Sequence, residues 1–323
     1  MGLLSGAASV TRFNLPTRPQ EIDFEPAAFR GIAPGSEVRE SVGIVPFEPE
    51  EDYQVGAGRW AFRVRIDTLK PDPTMVKERV KQLVASEQEA TGAPFVGPKK
   101  RRHLKNLAEE ELIVQTAPRS KIIECAIDGD ICYAATTAKG RLGHVITQLR
   151  KVGVTAEPKA PWVDRQDPDP ESDLVEMREP GESVLGCRFL NALVGDRLLA
   201  YEPADGRVVL QTSQARVSLA GEVMPDLLRY VERGAEVLTA KLTTGEVVFR
   251  LDGPSWRVSS LRVETDKHEH WTSLLDERLE KIAAVYELLD SKYADLDPAR
   301  RPAPVVKEVA SGGGGGRVVP IRG

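Results

Sequence analysis

The stretch Arg59-Trp60-Ala61-Phe62-Arg63-Val64-Arg65-Ile66 decides how the first half of the chain is read. Trp60, Phe62, Val64 and Ile66 alternate with Arg59, Ala61, Arg63 and Arg65. This period of two predicts a half-buried strand with one apolar face and one face carrying three arginines. The period then changes. Asp72 can cap a helix, Pro73 suits its first turn, and Val76, Val80, Leu83 and Val84 recur at helical spacing. Gly92, Pro94, Gly97 and Pro98 break that helix, and a second, with Leu104, Leu107, Leu112 and Ile113, is expected to end near Pro118.

Downstream, Ile122 to Ile127 and Ile131 to Ala135 flank Asp128-Gly129-Asp130, a hairpin signal. Leu142, Val145, Ile146 and Leu149 then share a helix face that Gly153 closes. Upstream, the first 57 residues are acidic and proline-rich and predict short strands joined by irregular loops. In the second half, strands are expected at Arg197–Tyr201, Arg207–Gln211, Val237–Leu242, Val247–Leu251 and Arg257–Val263. Turns at Ala204-Asp205-Gly206 and Thr243-Thr244-Gly245 are expected to make hairpins. One helix contains Leu227, Leu228 and Val231 and ends at Gly234; a long last helix carries Leu275, Leu279, Ile282, Tyr286 and Leu289 on one side.

Strands and helices come in groups without strict alternation, so the expected class is α+β: two lobes of mostly antiparallel sheet with packed helices and a helical insertion. The expected division is an N-terminal domain over 1–163 with the insertion at about 72–118, then an acidic, proline-containing linker or surface loop over 164–182. A C-terminal domain over 183–297 and a disordered glycine-rich tail over 298–323 follow. A chain of 323 residues with 41% apolar content is long enough for two such cores.

The net charge is −5, from 44 Lys+Arg against 49 Asp+Glu, and its distribution is uneven. Residues 58–160 hold 19 basic and 12 acidic side chains, a local +7 inside a remainder of −12. Cys125, Cys132 and Cys187 fit no metal spacing and read as reduced core thiols of a cytoplasmic protein. The N-terminus lacks an export or myristoylation pattern, and no apolar run approaches the ~20 residues of a membrane span. No membrane partner is expected.

Enzymatic constellations find little support. His268 and His270 flank Glu269 without a third ligand nearby in sequence, His144 lies on an amphipathic helix, and Asp128 and Asp130 sit in a turn where Asp is common anyway. No catalytic residue, metal or cofactor is expected. The basic residues carry more. Lys99, Lys100, Arg101, Arg102 and Lys105 crowd one helix start, which reads either as a phosphate-attracting cluster or as a solvated face. Arg59, Arg63 and Arg65 read either as a row of phosphate contacts or as cross-strand partners of carboxylates. Lys77 and Lys81 share a helix face, and Lys70, Arg119, Lys121, Lys139, Arg141, Arg150 and Lys151 add to the basic stock. Aromatic residues do not interleave with them, which favours backbone contact with a duplex over base stacking.

The order of segments resembles the bacterial recombination-associated RdgC family over roughly residues 8–293. The resemblance rests on Val10–Phe13, Gly43-Ile44-Val45-Pro46, Leu69-Lys70-Pro71 before Val76-Lys77-Glu78, and the charged stretch ending in Pro118-Arg119. It continues through Ile127-Asp128-Gly129, Leu149-Arg150-Lys151-Val152-Gly153, and Gly234-Ala235-Glu236-Val237 followed by strands to Arg262-Val263. It implies a nucleoid protein that encircles double-stranded DNA as a ring-shaped homodimer without reading sequence, and that restrains RecA-type recombinase. Two positions depart from the family pattern. Pro118-Arg119-Ser120-Lys121 lacks the aromatic that helps close the ring, and Thr212-Ser213-Gln214 replaces a basic pair, leaving Arg216 as the nearest cation. The expected DNA contacts are thus Arg59, Arg63, Arg65, Lys77, Lys81, Lys99, Lys100, Arg101, Arg102, Lys105, Arg119, Lys121 and Arg216. An acidic protein docking on the basic segment is the alternative.

Overall fold

The computed structural model describes residues 2–33, 36, 38–49, 51–196 and 198–300. Most of the expected glycine-rich tail and the first residue of the expected strand at Arg197 lie outside the described residues.

In the first half the elements are β1 (Ala8–Asn14), β2 (Glu40–Val45), β3 (Gln54–Gly56), β4 (Arg59–Thr68), α1 (Pro73–Thr91) and α2 (Pro98–Ile113). They are followed by β5 (Arg119–Asp128), β6 (Ile131–Ala134), α3 (Lys139–Lys151), β7 (Glu157–Pro158) and α4 (Pro161–Asp164). The second half comprises α5 (Leu185–Ala192), β8 (Ala200–Tyr201), β9 (Gly206–Gln211), β10 (Arg216–Gly221), α6 (Met224–Glu232), β11 (Glu236–Thr243), β12 (Val248–Asp252), β13 (Arg257–Leu261) and α7 (Trp271–Leu296). The class is α+β, with a large antiparallel sheet.

The alternation in β4 does what its period demands. Trp60, Phe62, Val64 and Ile66 are buried on one face, against Leu142, Val145 and Leu149 of α3. Burying each such side chain stabilises by about 1.5–3 kcal/mol. On the other face Ala61 joins a second core that contains Val10, Val258 and the inner side of α7: Leu275, Leu279, Ile282, Tyr286 and Leu289. The hairpin forms as expected, with Asp128 opposite Ile131 and Gly129 in the left-handed conformation at φ 64°.

The sheet runs in the order β10-β9-β11-β12-β13-β1-β6-β5-β4-β2. β1 is its pivot. Ala8 and Val10 pair with Leu261 and Val258 of β13, whereas Thr11 to Asn14 pair with β6. The connection between the two expected lobes is therefore carried by a strand, and the larger core draws side chains from both halves. Segment 164–182 is pinned at its ends. The Trp162 indole donates to Gly181 O at 2.9 Å, and Glu179 takes Arg257 at 2.7 Å while Glu182 takes Lys139 at 3.1 Å.

One local expectation changes. The turn at Ala204-Asp205-Gly206 does not close a hairpin: β8 and β9 both pair with β11, Tyr201 opposite Leu242 and Val208 opposite Ala240. The chain instead bulges out and returns to the same neighbour. β7, α4, β10 and α5 were not expected from the sequence. β10 completes a hairpin with β9 through Thr212, whose hydroxyl donates to Ala215 O at 2.8 Å. α5 buries Leu185, Phe189 and Leu190, whose helical spacing directly follows the acidic segment.

Candidate nucleic-acid interface

Asp72 ends the extended chain after β4 by accepting a hydrogen bond from Thr74 N at 2.7 Å, which lowers its carboxyl pKa. Pro73 then occupies the first turn, and Gly92 closes α1 in the left-handed conformation at φ 64°. α2 begins at Pro98, so Lys99 to Arg102 fall in its first turn with no acidic residue beside them there. The helix macrodipole makes that end positive, so four cations there oppose it and add to its attraction for anions.

Two ion pairs cross between the helices: Arg79–Glu111 at 2.6 Å and Lys100–Glu87 at 3.0 Å. A groove of about 1180 Å³ opens alongside. α1 contributes Val76, Lys77, Val80, Lys81 and Val84 to it, and α2 contributes Arg101, Arg102 and Lys105. Both sets follow the i, i+3/i+4 rhythm of one helix face. Lys70 and Arg39 complete the rim. Arg39 is brought in by the backbone bond from Leu69 N to Arg39 O at 2.8 Å.

Seven cations thus converge on one groove, with Glu109 the one carboxylate among the described residues of its lining. Among the described residues only Lys105 of the seven has a carboxylate within 4 Å, Glu109 at 3.6 Å. Among the described residues the other six have no such partner and can meet an anion. Of the residues singled out from sequence, Lys77, Lys81, Arg101, Arg102 and Lys105 meet here. Lys99 and Lys100 stand outside the lining.

The arginines of β4 are differently placed. Arg59 holds Asp276 at 2.7 Å and Asp128 at 3.0 Å. Arg63 donates to Phe47 O at 2.5 Å and lies over the Phe47 ring at 4.6 Å. Arg65 grips both oxygens of Asp67 at 2.9 Å, pulling that carboxyl below its ordinary pKa, and stacks on Phe29 at 4.5 Å. The cross-strand carboxylate alternative raised for this face is realised at Arg59, with Asp128, and at Arg63, which lies opposite Glu124 of β5 and reaches it at 3.9 Å; Arg65 meets a carboxylate of its own strand. Arg119 and Lys121 are exposed at the start of β5, and Arg216 lies on β10, at the far end of the sheet order.

That start of β5 has a further property. β6 reaches only to Ala134, opposite Cys125, and Ala135 N donates to Glu124 O at 2.8 Å. By the two-residue period, Ser120 and Ile122 turn their backbone N–H and C=O the same way, where no described strand pairs with them. The Ile122 side chain is 53% exposed beside this open edge.

No protein-family model matches the chain, and neither does any curated protein. Among the described residues, no group of three or more His, Cys, Asp and Glu is placed to hold a metal ion. His268 instead meets Glu277 at 2.5 Å. No described helix is long and apolar enough to cross a membrane.

Arg39 is the functional candidate that sequence reasoning missed. Nothing around it in the chain distinguishes it from other surface arginines, because its place in the groove depends on the pairing of residues 39 and 69.

Proposed function

We propose that the chain is a non-enzymatic, sequence-independent binder of double-stranded DNA, acting in the cytoplasm on the nucleoid. The observation that carries this is the convergence of Arg39, Lys70, Lys77, Lys81, Arg101 and Arg102 with no carboxylate partner within 4 Å among the described residues. Unpaired cations at helical spacing along two neighbouring helices suit a row of backbone phosphates, and such contacts read charge and leave base sequence unread. The order of segments resembling the RdgC family supports the same reading, and with it restraint of a RecA-type recombinase through occupation of DNA. The open end of β5 at Ser120 and Ile122 supports a second copy as its neighbour, hence a homodimer around the duplex.

Fluorescence anisotropy with unrelated duplexes tests this. Binding is expected to weaken steeply from low to high salt, with a slope of about −0.9 per phosphate contacted. Affinity that is flat in salt, or that follows base sequence, sinks the reading.

A further inference from the structure

We infer that the groove between α1 and α2 docks an acidic amphipathic helix presented by a protein partner, over the same cations on which the DNA reading rests. Its floor is what a duplex leaves unexplained. Val76, Val80 and Val84 recur at i, i+4 and i+8 along α1, with Leu69 beside them. Val76 is buried, while Val80, Val84 and Leu69 are half-buried and line open space. Phosphates have no use for a strip of valines; a helix with its own apolar stripe does.

The way the two helices are held explains why the strip is uncovered. α1 and α2 have each other as their principal packing partner, and none of the described hydrophobic cores includes a residue of either. Two helices packed alone leave part of their apolar surface to water. The strip from Val76 to Val84 spans about 12 Å at the helical rise, the length over which a partner helix places apolar residues at i, i+4 and i+7. Cations on both sides of the strip then select a partner whose flanks carry carboxylates, and like charge rejects a basic one. A partner bound in this way would compete with DNA for the groove.

The test uses the full chain and a fluorescent peptide of about 16 residues, with leucines on one helical face and glutamates on its flanks. A peptide of the same composition in scrambled order serves as the control. The designed peptide is expected to bind roughly tenfold or more tightly than the scrambled one and to displace duplex DNA. The neutral double variant V80N/V84N is expected to lose about tenfold in peptide affinity while holding duplex affinity within about twofold, because it leaves the rim charge unchanged. Equal binding of both peptides would overturn the inference, since charge alone would then explain it. So would duplex binding without peptide binding, or a floor-dependent preference for phosphatidylglycerol vesicles over the peptide. Those three outcomes leave the DNA reading to its own salt test. Failure of both peptide and duplex removes both. The two-peptide comparison needs only the natural chain, so it decides the matter even if the variant does not fold.

Discussion

The guanidinium of Arg12 on β1 lies 2.6 Å from the carboxylate of Asp290 on α7. The Arg12 side chain is 4% exposed and stacks on the Tyr286 ring at 4.4 Å, while Trp256 donates to the same Asp290 oxygen at 3.0 Å. One carboxylate therefore ties the pivot strand of the sheet to the last helix. Tyr286 reinforces the join by donating to Val10 O at 2.8 Å, and Arg278 donates to Gly6 O at 2.8 Å.

Arg12 is buried and Asp290 half-buried, so removing the carboxylate strands the guanidinium away from water. Asp290→Ala is expected to destabilise the chain by about 3 kcal/mol, while Arg12→Met, which keeps the volume and removes the charge, costs less. Urea unfolding of the two variants checks the order. A milder loss for Asp290→Ala than for Arg12→Met would show that Arg12 acts through packing.

Cations that are free and cations that are engaged make opposite predictions. R101E/R102E is expected to weaken binding to all duplexes about equally and to flatten the salt slope by about 0.9 for each lost phosphate contact. Arg65→Ala is expected to leave duplex affinity within about twofold and to lower stability by roughly 1 kcal/mol, since Asp67 and Phe29 already hold that side chain. Anisotropy and unfolding on the same preparations separate the two effects.

Burial raises the pKa of Glu236, against a smaller opposing pull from Arg188. An acid with a raised folded pKa binds its proton more tightly when native. Its contribution is complete below the ordinary carboxyl range and falls as pH rises from there to the raised value. Glu236→Gln removes that loss. Its melting temperature is expected to exceed that of the natural chain at pH 7 and to converge with it near pH 4. A difference that stays constant across this range contradicts the assignment.

All three thiols are free and buried. Burial pushes the pKa of Cys132 to about 12 and those of Cys125 and Cys187 well above the ordinary value. Little thiolate is present at neutral pH, so a disulfide reagent is expected to modify the native chain slowly, with all three sites reacting once denaturant unfolds it. Rapid native labelling would locate an opening that exposes the hairpin of β5 and β6 or the inner face of α5.

Periodicity made much of this molecule readable in advance. The alternation from Arg59 to Ile66, the Asp72-Pro73 start of α1 and the Asp128-Gly129-Asp130 turn are local, and each depends on residues a few positions apart. α5 escaped because its short apolar pattern begins directly after a long acidic segment. The turn at Ala204 misled because a turn signal states that the chain bends, while the neighbour it then pairs with is chosen by register on β11.

The amino-acid sequence by itself determined where most of the strands and the long helices lie, that the class is α+β, and that positive charge gathers between residues 58 and 160. Only the tertiary structure decided which of those charges remain available. A cation is spent or free according to the carboxylates that folding brings within reach. Asp276 reaches Arg59 from a helix 217 residues away along the chain, and the rim of the α1–α2 groove receives almost none. Helical and strand periods are written in neighbouring residues, whereas charge pairing is a through-space property settled when distant segments meet.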